Sequence, residues 1–566
     1  MKIKNIIIVT LTILLCSLIF YNSIYNIKAK NKEDITFKIN FNINSNSKSK
    51  IITINSYYNP IDNKYYLFIP SYISLDEINI QHNYYKELYV NGKNFQMSIL
   101  NDNFNYDREY IIYTKDKTDL CILSIMKSSF IPSLFINTES GNMNYINKAK
   151  ENKESGNLTL LNSESEYFIY DLEYIKGRGN STWLKDKRPY NIRFSKAIDI
   201  LGTGKNKEYT LLSNSYDQSL IRNQIIFNLA KSINLENTIS SQMVDLYLNG
   251  EYVGMYQLCE KIEINDNRID ITNLQKQSEI LNYDLKLYKR DGDINSTQAG
   301  TKKWSNIKFN TDNITGGYLL EFEAPDRYVI ESSGFVSDRG QCIVIKSPEI
   351  ASKEEVDYIS DFYSKLEEAL YSQEKINSLG KHYSEYIDID SFAKMYIIQE
   401  ISLNPDAVTS SFYCYKDADI NGNISKLKAG PVWDFDVALG NTESFWVDLT
   451  DPTVWFIKNL KIRDTEETNT YSNILAELIK DQEFIMKVKK IWNETINDID
   501  MFLINNTDNY YLQYKKSAKM NFIVWNSLGE ASNGVKTGDT YEENINYIKV
   551  FLNQRFKFLD EEFKYK

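Results

Sequence analysis

Apolar positions change their period along this 566-residue chain, and each change predicts a different kind of element. After Lys2 and Lys4, the run Ile6 to Phe20 has little polar interruption. It matches the apolar core of a secretory signal and is shorter than the ~20 residues that span a bilayer. No small-x-small cleavage site follows, and Ile13-Leu14-Leu15 before Cys16 is a poor lipoprotein box. The expectation is an export segment over 1–32, either cleaved or kept as an N-terminal membrane anchor. From Ile35 to Tyr113 the apolar runs are short and strand-like, as at Ile51 to Ile54 and Tyr65 to Ile69. Leu88-Tyr89-Val90 before Asn91-Gly92 predicts a hairpin, because Asn-Gly suits the primed turns. Residues 33–125 read as a small β-sandwich, serving as a spacer or a binding module.

Ile131 to Ile136 predicts the strand that opens the main domain, and Tyr170 to Ile175 predicts another. In the strand around Arg193, alternation puts Tyr190, Ile192 and Phe194 on one face and Arg193 on the other. Ser215 to Leu235 predicts a helix with Ser215 or Asp217 as its cap and a stripe of Ile221, Ile225, Leu229 and Ile233. Val244 to Leu248 and Tyr252 to Leu258 flank Asn249-Gly250, a second hairpin signal. Residues 275–313 are polar and poorly periodic and read as an insertion or loop. A strand follows at Gly316 to Glu323, then helices over 353–372 and 391–403, the second capped by Asp388 or Asp390. The stretch from about 455 to 566 reads as mostly helical, with Ile545, Ile548, Leu552, Phe556 and Leu559 on one face.

Composition narrows the chemistry. Charged residues are 25% and apolar residues 42% of the chain, ordinary for a globular protein of two to four domains. The net charge of −11 argues against a general nucleic-acid binder, which needs clustered Lys and Arg. The only two His residues, His82 and His382, lie in polar settings away from the acidic stretch, which disfavours a Ser-His-Asp triad or a His-ligated zinc. The five Cys residues (Cys16, Cys121, Cys259, Cys342, Cys414) show no C-x-x-C spacing. Beyond the leader they read as buried free thiols. Chemistry is left to carboxylates, Lys and Arg.

The densest candidate is 404–441. Asn404-Pro405-Asp406 precedes a β-rich run from Ser410 to Tyr415, and Gly430-Pro431-Val432-Trp433-Asp434-Phe435-Asp436 follows the next strand. A hairpin can bring these carboxylates to one cleft, where one handles a hydroxyl and another a divalent metal on phosphates. The bland alternative, equally weighted on spacing alone, is a turn-starting Asp406 and a solvated Asp434/Asp436 pair. Upstream, Gly177-Arg178-Gly179-Asn180-Ser181-Thr182-Trp183 follows a strand and can offer N–H groups and hydroxyls to phosphates. Lys187-Arg188-Pro189-Tyr190 comes next.

Taken in order, five motifs resemble the spore coat protein H (CotH) kinase family. They are Gly177 to Trp183 with Lys187 to Tyr190; Leu201-Gly202 through Leu212 with Asp217, Ser219, Arg222 and Asn223; Asn249 to Gly254; Asn404-x-Asp406 with Ser411-Phe412-Tyr413; and Gly430 to Asp436 through Gly440-Asn441. The resemblance covers roughly 131–560. It implies an α+β fold: an atypical protein-kinase-like core over 131–445, preceded by the small all-β domain and followed by a helical C-terminal region over 446–566. It also implies an exported serine kinase using ATP and Mg²⁺ or Mn²⁺ on secreted, surface or spore coat proteins. By matching position, Asp406 faces the attacking hydroxyl and Asp434, with Asp436, binds metal. The Arg178–Asn180–Ser181 turn covers phosphates, and Lys187 or Arg193 supplies the phosphate-binding cation. Ser411 stands where kinases place a metal-ligating Asn. Two alternatives stay open: a non-catalytic scaffold of the coat or cell surface, and a glycosyltransferase whose D-x-D is Asp434-Phe435-Asp436.

Overall fold

The computed structural model describes residues 35–45, 48–74, 78–95, 104–162, 167–282, 285, 300–443, 447–463 and 470–565. The export segment, with Cys16, lies outside them. No helix among the described residues is long and apolar enough to cross a membrane.

The chain forms two compact units. The first comprises 1–172, 243–255 and 513–526. It contains a three-stranded sheet of β1 (Phe37–Ser45), β2 (Lys48–Asn55) and β5 (Asn79–His82), in the order β2-β1-β5. A six-stranded sheet runs β3-β4-β9-β8-β6-β7, from β3 (Tyr57–Asn59), β4 (Lys64–Ile69), β6 (Leu88–Val90), β7 (Lys93–Asn94), β8 (Arg108–Thr114) and β9 (Asp119–Lys127). In β1 every second residue, Phe37, Ile39 and Phe41, is buried, as period-2 alternation requires. These side chains share one core with Leu67, Phe68, Ile112, Leu123 and Ile125 of the larger sheet. Asn91 and Gly92 both take positive φ (50° and 80°), so the expected hairpin forms. Residues 131–172 group with these strands because Phe135, Leu161, Tyr247, Tyr252 and Met520 join the same core.

A closed barrel follows in the order β10-β11-β12-β13-β14-β16-β15. Its strands are β10 (Ser133–Thr138), β11 (Lys153–Leu161), β12 (Tyr167–Gly177), β13 (Tyr190–Asp199), β14 (Lys205–Leu212), β15 (Ser241–Leu248) and β16 (Glu251–Glu260). In β13 Tyr190, Ile192 and Phe194 are buried, with Arg193 only partly so.

The second unit comprises 173–242, 256–512 and 527–566. Its sheet runs β18-β19-β17-β20-β21, from β17 (Tyr318–Glu323), β18 (Gly334–Val336), β19 (Cys342–Ser347), β20 (Phe412–Lys416) and β21 (Leu427–Ala429). Its helices include α1 (Arg222–Ser232), α2 (Leu274–Leu281), α3 (Pro325–Tyr328), α4 (Lys353–Tyr371), α5 (Ile389–Ser402), α6 (Ile474–Leu478), α7 (Gln482–Val524, ending in the first unit) and α8 (Tyr541–Phe563). Two expectations need correcting. Helix α1 starts at Arg222, not Ser215, because Asp217 ties the preceding turns down. Part of the presumed loop 275–313 is helix α2, capped by Asn273, whose side chain accepts from Lys276 N; 283–284 and 286–299 lie outside the described residues.

Asp388 caps α5 by accepting from Ser391 N at 2.7 Å. Glu400 on α5 and Arg555 on α8 are both fully buried and paired at 2.9 Å. The Arg555 guanidinium also donates to the carbonyls of Glu400, Pro452 and Val454, so the buried cation is well satisfied. Cys259, Cys342 and Cys414 are buried free thiols, and Cys121 is half-buried.

Glu367 on α4 is buried with Ser337 Oγ donating to its Oε1 at 2.9 Å and nothing bonded to Oε2. Burial, then Asp338, pushes its carboxyl up to about 7. The folded state therefore keeps the proton where the unfolded chain has lost it, so stability falls as pH rises from the ordinary Glu value towards about 7 and stays reduced above it. Glu367→Gln should raise the melting temperature at pH 8, by on the order of 2 kcal/mol of stability, and give little or no gain near pH 4. Thermal melts of both proteins across that range check it.

Candidate active site

The site is built on β17 and β20. Glu321 and Glu323, two residues apart, share one face of the central strand β17, and Glu321 lies opposite Tyr413 of β20. Tyr413 donates its hydroxyl to Glu321 Oε1 at 2.7 Å. Lys346 of β19 reaches Glu321 Oε2 at 3.1 Å and Glu331 at 3.4 Å. Glu323 accepts from Ser410 Oγ at 2.6 Å and Ala324 N at 2.9 Å. Burial and Glu321 nevertheless push its carboxyl up to about 7.

Asp406 sits in a wound turn between α5 and β20. Leu403 ends the helix in the left-handed region, and Asn404 Oδ1 accepts from Asp406 N at 3.2 Å. Thr409 N and Ser410 N then both donate to Asp406 O, at 3.1 and 2.9 Å. Val408 (φ 53°) and Ser411 (φ 52°) bend the chain back on itself. Burial, then the nearby Asp434, pushes the Asp406 carboxyl up to about 6, with Arg327 opposing.

The second acidic segment follows β21. Asp434 adopts φ 66°, a left-handed conformation uncommon for Asp and held by its surroundings. Ser411 Oγ donates to its Oδ2 at 3.3 Å. Phe435 N donates to Asn223 Oδ1 at 2.7 Å. Asn441 Nδ2 donates to Asp436 O and Tyr216 O, at 2.7 and 2.8 Å. Leu439 N donates to Ser402 O at the end of α5. Asp436 is buried, and burial with Asp434, Asp217 and Asp406 drives its carboxyl well above the ordinary range against Arg178. The guanidinium of Arg178 lies 5.6 Å from the Trp433 ring.

Behind this loop lies a buried pair. Asp217 accepts from Ser219 N, Arg222 N and Arg222 Nη1 at 2.8, 2.8 and 2.5 Å, and neither charged side chain is exposed. Arg222 Nε donates to Ala438 O at 3.0 Å, so one guanidinium joins the start of α1 to the Asp434–Asn441 loop.

Of the residues singled out in sequence, the structure brings Asp406, Ser411, Asp434, Asp436 and Arg178 into one electrostatic neighbourhood. Asn180 and Ser181 are exposed on the turn after β12. Gly179 (φ 80°) admits no Cβ, which would fall 2.3 Å from Thr182 Oγ1. Lys187 is buried with its ammonium 4.9 Å from the Tyr256 ring. Arg193 is engaged elsewhere, bonded to Glu173 at 2.9 Å and Glu208 at 2.7 Å. Glu321, Glu323, Arg327 and Lys346 were not singled out; the signal was two Glu residues two apart inside an otherwise apolar strand.

Among the described residues no group of three or more His, Cys, Asp or Glu side chains forms a metal cage. The donor set does fit Mg²⁺, which takes one or two carboxylates and completes its shell with water and substrate phosphates. The mutual repulsion of Asp406, Asp434 and Asp436 is the electrostatic condition a divalent cation would relieve.

Asp217→Ala should lower the denaturant midpoint by an amount equivalent to about 3–5 kcal/mol, because it strands the buried Arg222 charge. Urea unfolding of the variant checks this, and a loss below ~1 kcal/mol would remove the pair's structural role.

The model of one family, described as CotH kinase protein, matches residues 175–559. No curated protein matches the chain significantly. The match covers more than half of the 566 residues and takes in Arg178, Asp217, Arg222, Asp406 and Asp434. The chain belongs to the CotH kinase protein family.

Proposed function

We propose that the protein is an exported, kinase-like phosphotransferase that moves the γ-phosphoryl group of ATP to Ser hydroxyls of surface or spore coat proteins. The observation that carries this reading is the meeting of Asp406 with Asp434 and Asp436 at the β20–β21 hairpin, with Asp434 in a left-handed conformation. Family membership, in a family named for a kinase and a spore coat protein, supports the same reading.

In this mechanism Asp434 and Asp436, with Ser411 beside them, would hold the divalent metal. A metal bound there would neutralise the nucleotide phosphates and align them for in-line displacement. Arg178 adds a cation to the same acidic pair, and the Asn180–Ser181 turn and Lys187 are assigned to the phosphates. Asp406 accepts a hydrogen bond from the acceptor hydroxyl and orients it. As the bond from phosphorus to the β–γ bridging oxygen breaks, the bond to the Ser oxygen forms. The hydroxyl proton passes to the Asp406 carboxylate, leaving ADP and phosphoserine. A cation held there would offset part of the repulsion from Asp434 that raises the Asp406 carboxyl and would favour its ionised form.

Purified protein incubated with γ-labelled ATP and Mg²⁺ or Mn²⁺ should label itself or an added Ser-rich substrate. Asp406→Asn and Asp434→Ala should each abolish labelling with the melting temperature retained, and chelation of the metal should do the same to the unaltered protein. Full activity in either variant would remove the role assigned to that residue. Independently, Mg-ATP at ~100 times its dissociation constant should stabilise the protein by roughly 2.7 kcal/mol. No shift and no label together would favour a scaffold that keeps the fold without the reaction.

A further inference from the structure

We propose that Arg327 is the cation that meets the transferred phosphoryl group as it arrives at the acceptor beside Asp406; this inference rests on the phosphotransferase reading above. Arg327 lies on α3, which begins immediately beyond Ala324 at the end of β17. Its Nη1 donates to Ser410 Oγ at 2.9 Å and stands 3.8 Å from Glu323 Oε1. Ser410 Oγ in turn donates to Glu323, and Ser410 N donates to Asp406 O. These contacts hold one guanidinium against the turn that carries Asp406, close enough for its charge to act on the Asp406 carboxyl.

Among the described residues, the contacts of Arg327 engage Nη1 alone. A guanidinium has five N–H donors, and among the described residues no acceptor is bonded to Nε or Nη2, while the side chain keeps 32% of its surface exposed. A structural Arg in this molecule looks different. Arg555 is fully buried and uses Nε, Nη1 and Nη2 on backbone and carboxylate oxygens. Of the neighbouring cations, Lys346 is taken by Glu321 and Glu331, and Arg178 stands over Trp433 and acts on Asp436. Arg327 is the cation tied to the acceptor-side turn. During transfer, negative charge spreads over the three equatorial oxygens of the phosphoryl group while the bond to the bridging oxygen breaks and the bond to the Ser oxygen forms. A planar guanidinium whose Nε and Nη2 are unbonded suits two of those oxygens at once.

The test uses the full purified chain with γ-labelled ATP, comparing Arg327→Gln, Arg327→Lys and Ser410→Ala. Arg327→Gln should lower kcat by roughly 10²-fold or more, with KM for ATP changed only a few-fold. Arg327→Lys should keep part of the lost rate. Added guanidinium salt at non-denaturing concentration should partly restore Arg327→Gln and leave the unaltered protein unchanged, which loss of a merely structural contact would not show. Ser410→Ala frees the guanidinium from its tether without removing it and should cost less than tenfold. An active unaltered protein alongside an equally active Arg327→Gln would overturn the proposal. So would a Ser410→Ala loss equal to that of Arg327→Gln with no guanidinium rescue. An unaltered protein that transfers no phosphate would fail one step earlier, taking the phosphotransferase reading and the role of Arg327 with it.

Discussion

The buried pair of Asp217 and Arg222 is the contact on which the geometry of the acidic site depends. A carboxylate with no exposure is costly unless its lone pairs are filled, and here Ser219 and Arg222 fill them from backbone and side chain. The same guanidinium holds Ala438 O, and Asn223, the next residue, holds Phe435 N. The start of α1 therefore clamps the Asp434–Asn441 loop from behind. That clamp lets Asp434 stay in a left-handed conformation, where its carboxylate meets Ser411. Loops rich in positive-φ residues hold one shape only when their neighbours over-determine them.

Charge balance links this scaffold to chemistry. Asp406, Asp434 and Asp436 repel one another in a partly dehydrated setting, and Arg178 and Arg327 offset only part of that repulsion. Glu321 is compensated locally by Lys346 and Tyr413. The imbalance is thus concentrated where the hairpin brings the two acidic segments together. A site of that kind gains most from a cation carried in with a phosphate chain, and a pair of carboxylates is what Mg²⁺ needs when phosphates complete its shell.

Much of the fold was legible because it rests on local rules. Asn91-Gly92 and Asn249-Gly250 each formed the expected turn with positive φ at both positions. Asp388 caps α5 through Ser391 N, and the stripe Ile545, Ile548, Leu552, Phe556 and Leu559 is buried on α8. The reading failed where a tertiary contact overrode a local preference. The stripe from Ile221 to Ile233 and the capping residues before it suit a helix from Ser215, but Asp217 is drawn to Arg222 and holds 215–221 in turns. Arg193 fits a phosphate-binding cation by pattern, but Glu173 of β12 and Glu208 of β14, on the strands either side, pair with it.

From the sequence alone came many of the strands and helices and the family, because turn residues, periodicity and motif order are properties of the chain itself. The structure decided which charges face one another. Glu321 and Glu323 are ordinary acids in a one-dimensional reading, and Arg327 is an unremarked residue after a strand. Only the pairing of β17 with β19 and β20 sets Lys346 against Glu321 and ties Arg327 through Ser410 to the Asp406 turn. Such pairings depend on distances between segments tens of residues apart, and electrostatic energy follows distance and burial rather than position along the chain.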